Sequence, residues 1–275
     1  MSDGNGNDDQ YNVCEYDKKS KLRDSFVKAF KEGGMWNKSE FSNLTLIPKC
    51  RYVGWLDIMG STNTMTNALK TAACFVGRLH SIALECFKKQ TKVEIYSMTD
   101  GLYVVSEKFS SVRNFLVAMM RSCAHDFICE EKGFNRYIPR AAIAYGKVIL
   151  SDQMKTGMKN DCIDNVYIKN VMLGVPFVKA YLAEHCAPPF GIHIDESVRT
   201  CVNLDQDVSW VFNRWWNAKN EMERDFAVSF GREVIEQFKW LKRNSRSTMY
   251  LVDKHCGYID AVQEYFDIEE ITGEK

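Results

Sequence analysis

The sequence predicts an α+β fold of the split-βαβ, ferredoxin-like kind, with an antiparallel sheet followed by a helical appendage. Three observations carry this. Short β-rich runs alternate with stretches whose apolar residues recur at three and four, in the order β-α-β-β-α-β with a further helix and strand. Asp100-Gly101 lies between two of the β-rich runs, which signals a hairpin and hence antiparallel pairing there. After about residue 205 the text turns to Trp-rich, charged, helix-like stretches with no strand rhythm between them.

Taken in order, residues 1–20 carry Gly, Asn, Asp and Lys with almost no aliphatic side chains. They hold too little apolar surface to offset their ordering entropy and are expected to be a disordered tail. The main domain is set at 21–204 and the helical appendage at 205–275. Tyr52-Val53-Gly54-Trp55-Leu56-Asp57-Ile58 is short, apolar and closed by Gly60-Ser61-Thr62, so it reads as a buried strand ending in a tight turn, with Asp57 at its C-terminal end. From Thr64 to Lys89, Leu69, Ala73, Val76, Leu79, Ala83 and Phe87 form the stripe of a long amphipathic helix. Lys92 to Ser97 and Leu102 to Ser106 are the arms of the hairpin, and Asp100 sits at its tip. A helix is expected over about Ser111 to Lys132, a strand over Arg140 to Ile149, a helix over Gly174 to Glu184 and a strand over Gly191 to Ile194. In this pattern helices cover one face of the sheet. Phe230 to Lys242 and Tyr258 to Glu270 read as helices of the appendage.

Composition excludes several function classes. Lys+Arg and Asp+Glu both number 36, so the formal net charge is zero and no basic excess points to a nucleic-acid partner. The ten cysteines form no CxxC pair and no regular framework, so they are expected as reduced thiols, mostly in the core. The five histidines are scattered, without zinc-like spacing. The start has neither a basic nor an apolar signal region, and nowhere do about eighteen apolar residues run together. The protein is expected to be soluble, cytoplasmic and free of the membrane.

The candidate chemistry lies at two strand edges. Asp57 and Asp100, each followed by small residues, suit a metal-bridged triphosphate site: carboxylates hold Mg²⁺ or Mn²⁺ through oxygen, and backbone N–H groups of the Gly60, Ser61 and Thr62 turn can meet phosphate oxygens. Such metals lower the pKa of an attacking hydroxyl and offset phosphate charge. Taken alone, either aspartate is more simply read as satisfying backbone groups beside a turn.

Trp55-Leu56-Asp57-Ile58-Met59-Gly60-Ser61-Thr62 resembles the signature of class III nucleotide cyclases, in which an aromatic precedes Asp-Ile-x-Gly-Phe-Thr. Tyr96 to Val105 resembles the second metal hairpin of that family. Arg140 to Val148 resembles its Arg-x-Gly-Ile-x-x-Gly-x-Val strand, and Gly174 to Glu184 its Gly-x-x-Val-Asn-x-Ala-x-Arg-Leu-Glu helix. The likeness covers roughly Arg51 to Arg199. It implies a catalytic domain that closes a nucleoside triphosphate into a 3′,5′-cyclic monophosphate. Asp57 and Asp100 would be ligands to two Mg²⁺ or Mn²⁺ ions per site, with the Ile58 carbonyl as an extra ligand and Arg140 on the outer phosphates. It also implies a homodimer, because sites of this family lie between two catalytic domains.

The chain departs from the family where the purine is read. Those two positions hold Tyr96 and Val171 in place of the usual polar residues, and the transition-state Asn and Arg fall on Val178 and Leu182. The pattern is similar to the pyrimidine cyclases of Pycsar anti-phage defence, which make cyclic CMP or cyclic UMP for a separate effector protein. Tyr96, with Trp55 as a second wall, would narrow the base pocket toward a one-ring base. Tyr52 points to the opposite face of its strand if alternation holds. A tyrosine that donates, with no carboxylate at either base position, leans to UTP over CTP. A purine cyclase and a non-catalytic nucleotide-binding module remain the alternatives.

Overall fold

The computed structural model describes residues 47–90, 92–155, 171–200, 210–248 and 252–269. The tail expected at 1–20 lies outside them. The chain forms two compact units, one of residues 48–150 and 172–275, the other of residues 1–47 and 151–171. In the second unit the described residues include a short helix, Ser151–Lys155, and Gln153 Nε2 donates to the Ile47 carbonyl at 2.6 Å.

Among the described residues the first unit is built on a seven-stranded sheet. Its strands are β1 (Lys49–Ile58), β2 (Glu94–Ser97), β3 (Leu102–Ser106), β4 (Pro139–Leu150), β5 (Met172–Leu173), β6 (Ile192–Ile194) and β7 (Phe212–Asn213). They lie in the order β2-β3-β1-β4-β6-β7, with β5 beside β4. β3 pairs antiparallel with both β1 and β2, and β4 antiparallel with β1. This is the split-βαβ arrangement, an α+β fold as the sequence predicts. Two features differ from expectation. β6 joins β4 in parallel, so the sheet is mixed. The helix α4 (Val175–Glu184) also packs on the face away from the other long helices, so the sheet is covered on both sides. The reason is visible in β1. Tyr52, Leu56 and Ile58 on one face and Val53 and Trp55 on the other are all buried, and a strand apolar on both faces needs cover on both.

The main core lies between the sheet and the helices α2 (Leu69–Lys89) and α3 (Phe109–Cys129). Phe115, Leu116, Met119 and Met120 of α3 are fully buried there, each stabilising the fold by about 1.5–3 kcal/mol relative to exposure. The single helix expected from Thr64 is divided. α1 (Ser61–Asn67) ends at Ala68, whose φ of −147° and ψ of 60° break the helix before α2 begins. Thr66 Oγ1 donates to the Thr62 carbonyl at 2.9 Å and Asn67 Nδ2 to the Asn63 carbonyl at 2.8 Å. Such back-bonding side chains compete with the helical ladder. On α2 the buried residues are Ala72, Phe75, Leu79, Ala83 and Cys86, while Ala73 and Leu69 of the expected stripe are exposed.

After α5 (Glu196–Arg199), the C-terminal part, expected to hold helices alone, contributes the edge strand β7. It continues with α6 (Glu221–Arg243), α7 (Ser245–Thr248) and α8 (His255–Tyr265). Trp215, Trp216, Phe230 and Phe266 bury their rings in the same core as α2 and α3. α6 starts well before Phe230 because Asn220 caps it, accepting from the Glu223 N–H, and Lys242 and Arg243 oppose the dipole in its last turn. The cysteines correct the sequence reading. Cys86 and Cys123 are buried, but Cys50, Cys74, Cys129, Cys186 and Cys256 are exposed, and all of these are free thiols. Each exposed one falls on an outward helix face, a strand start or a turn.

Candidate active site

The site is assembled at the C-terminal end of β1. Alternation along that strand places Asp57 on the same face as Trp55 and Val53, beneath α4, and leaves Ile58 in the main core. Any part Ile58 plays is therefore through its backbone carbonyl. Tyr52 lies on the opposite face, packed near Phe109 and Tyr145, as alternation predicts.

The β2–β3 hairpin brings Asp100 to Asp57. Met98 N–H donates to the Gly101 carbonyl at 2.9 Å, closing the turn. A Cβ on Gly101 would sit 2.7 Å from Trp55 Cη2 and collide with the Leu56 carbonyl, so only glycine lets the hairpin approach β1 this closely. Thr99 Oγ1 donates to Asp100 Oδ1 at 2.8 Å, and the buried Ser61 hydroxyl donates to Asp100 Oδ2. The turn after β1 is thus tied to the second aspartate. Gly60 takes the left-handed conformation, φ 71°, that the turn requires, and Gly60 and Thr62 are exposed.

Asp57 accepts from the Ile58 N–H at 2.8 Å, yet its carboxyl is pushed up to about 7. Burial is the main cause, followed by the charges of Asp100 and of Glu184. Glu184, which the sequence places only at the end of a helix, is the third carboxylate here. It is 1% exposed, and its Oε1 lies 2.7 Å from Arg140 Nε. Arg140 is the cross-strand partner of Asp57, and its Nη2 also lies 3.2 Å from His185 Nδ1. Arg140 is therefore held beside Asp57 by α4.

Three rings form a row on this face. Trp55 opposes Tyr103, and Tyr103 opposes Tyr96, across β1, β3 and β2. Trp55 and Tyr103 have centroids 4.4 Å apart, and Tyr181 of α4 lies 5.8 Å from Trp55. Burial, followed by Tyr181 and Asp57, pushes the Tyr103 hydroxyl up to about 12, and it donates to the Phe177 carbonyl at 3.3 Å. The Tyr96 hydroxyl donates to Glu94 at 2.8 Å. Tyr103 and Tyr181 were missed in the sequence; strand alternation from Tyr96 and the spacing of Phe177, Tyr181 and Glu184 on one helix would have found them. Val171 belongs to the other compact unit. Val178 and Leu182 are exposed on α4.

The donor set suits a hard divalent cation. Carboxylate oxygens crowd together, and the repulsion that raises Asp57 is of the kind a cation relieves. Among the described residues no group of three or more His, Cys, Asp or Glu side chains is placed to hold a metal. Two carboxylates would need phosphate oxygens and water to complete the coordination.

No protein family and no curated protein sequence matches the chain. Among solved structures it is similar to a bacterial light-regulated adenylyl cyclase at 12% identity, covering 72% of this chain and 61% of that one, with a TM-score of 0.45. It is similar to an adenylate/guanylate cyclase/hydrolase from Silicibacter pomeroyi at 13% identity, covering 56% and 79%, with a TM-score of 0.41. It is also similar to the guanylyl cyclase domain of the RhoGC fusion protein from the aquatic fungus Blastocladiella emersonii, at 14% identity over 55% and 81%, with a TM-score of 0.41.

Proposed function

We propose that the protein is a nucleotide cyclase that closes a pyrimidine nucleoside triphosphate, UTP first, into its 3′,5′-cyclic monophosphate. The observation that carries this is the meeting of Asp57 and Asp100 at the C-terminal end of β1, with Asp57 raised by burial and its neighbours and Asp100 pinned by Ser61. The 3′-hydroxyl of the ribose gives its proton to solvent, its oxygen bonds to the α-phosphorus, the bond from that phosphorus to the bridging oxygen breaks, and pyrophosphate leaves with the electron pair. Two Mg²⁺ or Mn²⁺ ions, when bound, supply Lewis acidity to the attacking hydroxyl and neutralise phosphate charge. Asp57 and Asp100 hold the cations, with the Ile58 carbonyl beside them. The turn Gly60, Ser61 and Thr62 offers backbone N–H groups to phosphate oxygens. Arg140, oriented by Glu184, neutralises the outer phosphates.

For the base, Trp55 and Tyr96, both packed in the buried cluster under α4 with Tyr103 against them, are the rings that a one-ring base would meet. The Trp55 indole N–H is buried with no hydrogen-bond partner among the described residues, a donor suited to a uracil carbonyl. A second reading, CTP, is favoured by one observation: Glu94 stands on the Tyr96 hydroxyl, a carboxylate able to accept from the amino group of cytosine. The exposed apolar residues of α4 support a homodimer that completes two equivalent sites. By resemblance, the product would serve a separate effector protein.

Incubation with each of the four ribonucleoside triphosphates and Mn²⁺, with products identified by mass, tests this. Cyclic UMP is the expected product, and Asp57→Ala and Asp100→Ala should each abolish it. Cyclic AMP or cyclic GMP would replace the pyrimidine reading with a purine cyclase. No product from any of the four would leave a non-catalytic binding module.

A further inference from the structure

The back of the Met59–Gly60 turn opens into a cavity of about 190 Å³ that the proposed chemistry does not use. Phe75, Phe134, Tyr137, Phe238 and Tyr258 supply aromatic wall, drawn from α2, the segment before β4, α6 and α8. Asn67 and Thr71, on either side of the break at Ala68, give it a polar edge, with Ser247 and Thr248 of α7 on the other side. Asn67 commits its Nδ2 to the Asn63 carbonyl at 2.8 Å, which leaves its Oδ1 as an acceptor. Among the described residues, the one charged side chain on the wall is Arg136. It is engaged already, by the Glu130 carbonyl at 2.8 Å and Glu233 at 3.5 Å, with its guanidinium over the Phe127 ring.

We infer that this cavity is an effector site for a small neutral heteroaromatic molecule carrying an N–H donor, and that the C-terminal helices exist in part to wall it. Aromatic walls stabilise a flat ring, the amide and hydroxyl edge orients its donor, and the absence of an uncommitted charge among the described residues disfavours ions. At about 190 Å³ the cavity suits one fused ring system better than a whole nucleotide, which sets it apart from the proposed substrate site. Coupling to the aspartates runs through bonded neighbours. Ile138 lines the cavity and its carbonyl accepts from the Met59 N–H at 2.9 Å, and past Gly60 the Ser61 hydroxyl is bonded to Asp100. A ring seated behind the turn therefore bears on the residue that fixes the second carboxylate. The regulatory meaning rests on the two-aspartate reading, whereas the existence of the binding site does not.

Indole is the probe. Calorimetric titration of the whole chain should show saturable binding of indole, about tenfold or more tighter than benzoate or benzamidinium of similar size. Thr71→Phe and Ser247→Phe fill the cavity from opposite walls, and each variant that melts like the parent should weaken indole binding by about tenfold or more. Mn²⁺ affinity, read by electron paramagnetic resonance, should shift several-fold with saturating indole in the parent chain and not in the filled variants. No saturable indole binding, or undiminished binding in folded filled variants, overturns the site. Indole binding that leaves Mn²⁺ affinity unchanged overturns the coupling. If no triphosphate is cyclised but these binding results hold, the proposed chemistry fails and the effector site stands.

Discussion

A carboxylate half-sunk in protein beside two others is an unfavourable arrangement unless something cationic is destined for it. Asp57 is raised from an ordinary 3.8 to about 7, mainly by burial and then by Asp100 and Glu184. Below about 3.8 both folded and unfolded chains carry the proton. Between 3.8 and about 7 the unfolded chain gives it up while the folded chain keeps it, so stability falls across that window and is flat above it. Asp57→Asn should therefore stabilise the metal-free protein at pH 8 by on the order of a few kcal/mol, read as a higher melting temperature. At pH 4 the two proteins should melt together. Equal melting at both values would mean that Asp57 is not strained by its neighbours. Added Mn²⁺ should raise the melting temperature of the parent and leave the Asp57→Asn variant, which lacks that carboxylate, unmoved. Asp57 was legible from sequence because a strand and a turn meet at it. The strain was not, because it depends on Asp100 and Glu184, which arrive from other elements.

At the scale of elements, the succession of the longer strands and the β2–β3 hairpin were readable because each carries its own hydrophobic run and turn residues, whereas the parallel pairing of β6 with β4 was not. Helix faces were less so. α2 offers Ala72, Ala73, Phe75, Val76, Leu79 and Ala83, an apolar arc wider than the sheet can cover. Packing against the sheet and α3 selects Ala72, Phe75 and Leu79, and leaves Ala73 in solvent. The break at Ala68 and the strand β7 were hidden for a related reason: both are too short to show a period. The attachment of α4 rests on contacts no period encodes. Glu184 and Arg140 form an ion pair in which Arg140 is 11% exposed, and breaking such a pair leaves a buried charge unmatched. Glu184→Gln should destabilise the protein by about 3 kcal/mol, read from the denaturant midpoint at constant slope. If α4 is held by apolar packing alone, the variant will be as stable as the parent. Gly101→Ala tests the hairpin in the same way, and should lose metal affinity through displacement of Asp100 before it loses the fold.

For the whole molecule, the unmet demand is on the outer side of α4. Its inner stripe, Phe177, Ala180 and Ala183, is buried against β1 and β4, which satisfies one apolar face. The other face carries Val175 at 65% exposure, Val178 at 58% and Leu182 at 59%, spaced at three and four on one side of the helix. A stripe of this kind is where the proposed homodimer would join. A two-fold pair of chains joined here would repeat the same stripe on both partners, and the stripe would be buried by its own copy. Leu182→Glu sets two carboxylates against each other at such an axis, so the parent should sediment as a dimer and the variant as a monomer with unchanged circular dichroism. The proposed cyclase activity should fall with the dimer. In the parent it should also rise more steeply than linearly as the chain is concentrated through its dissociation constant. A parent that remains monomeric at every concentration while fully active would place the complete site within one chain, and a dimeric, active Leu182→Glu protein would move the contact to a different surface.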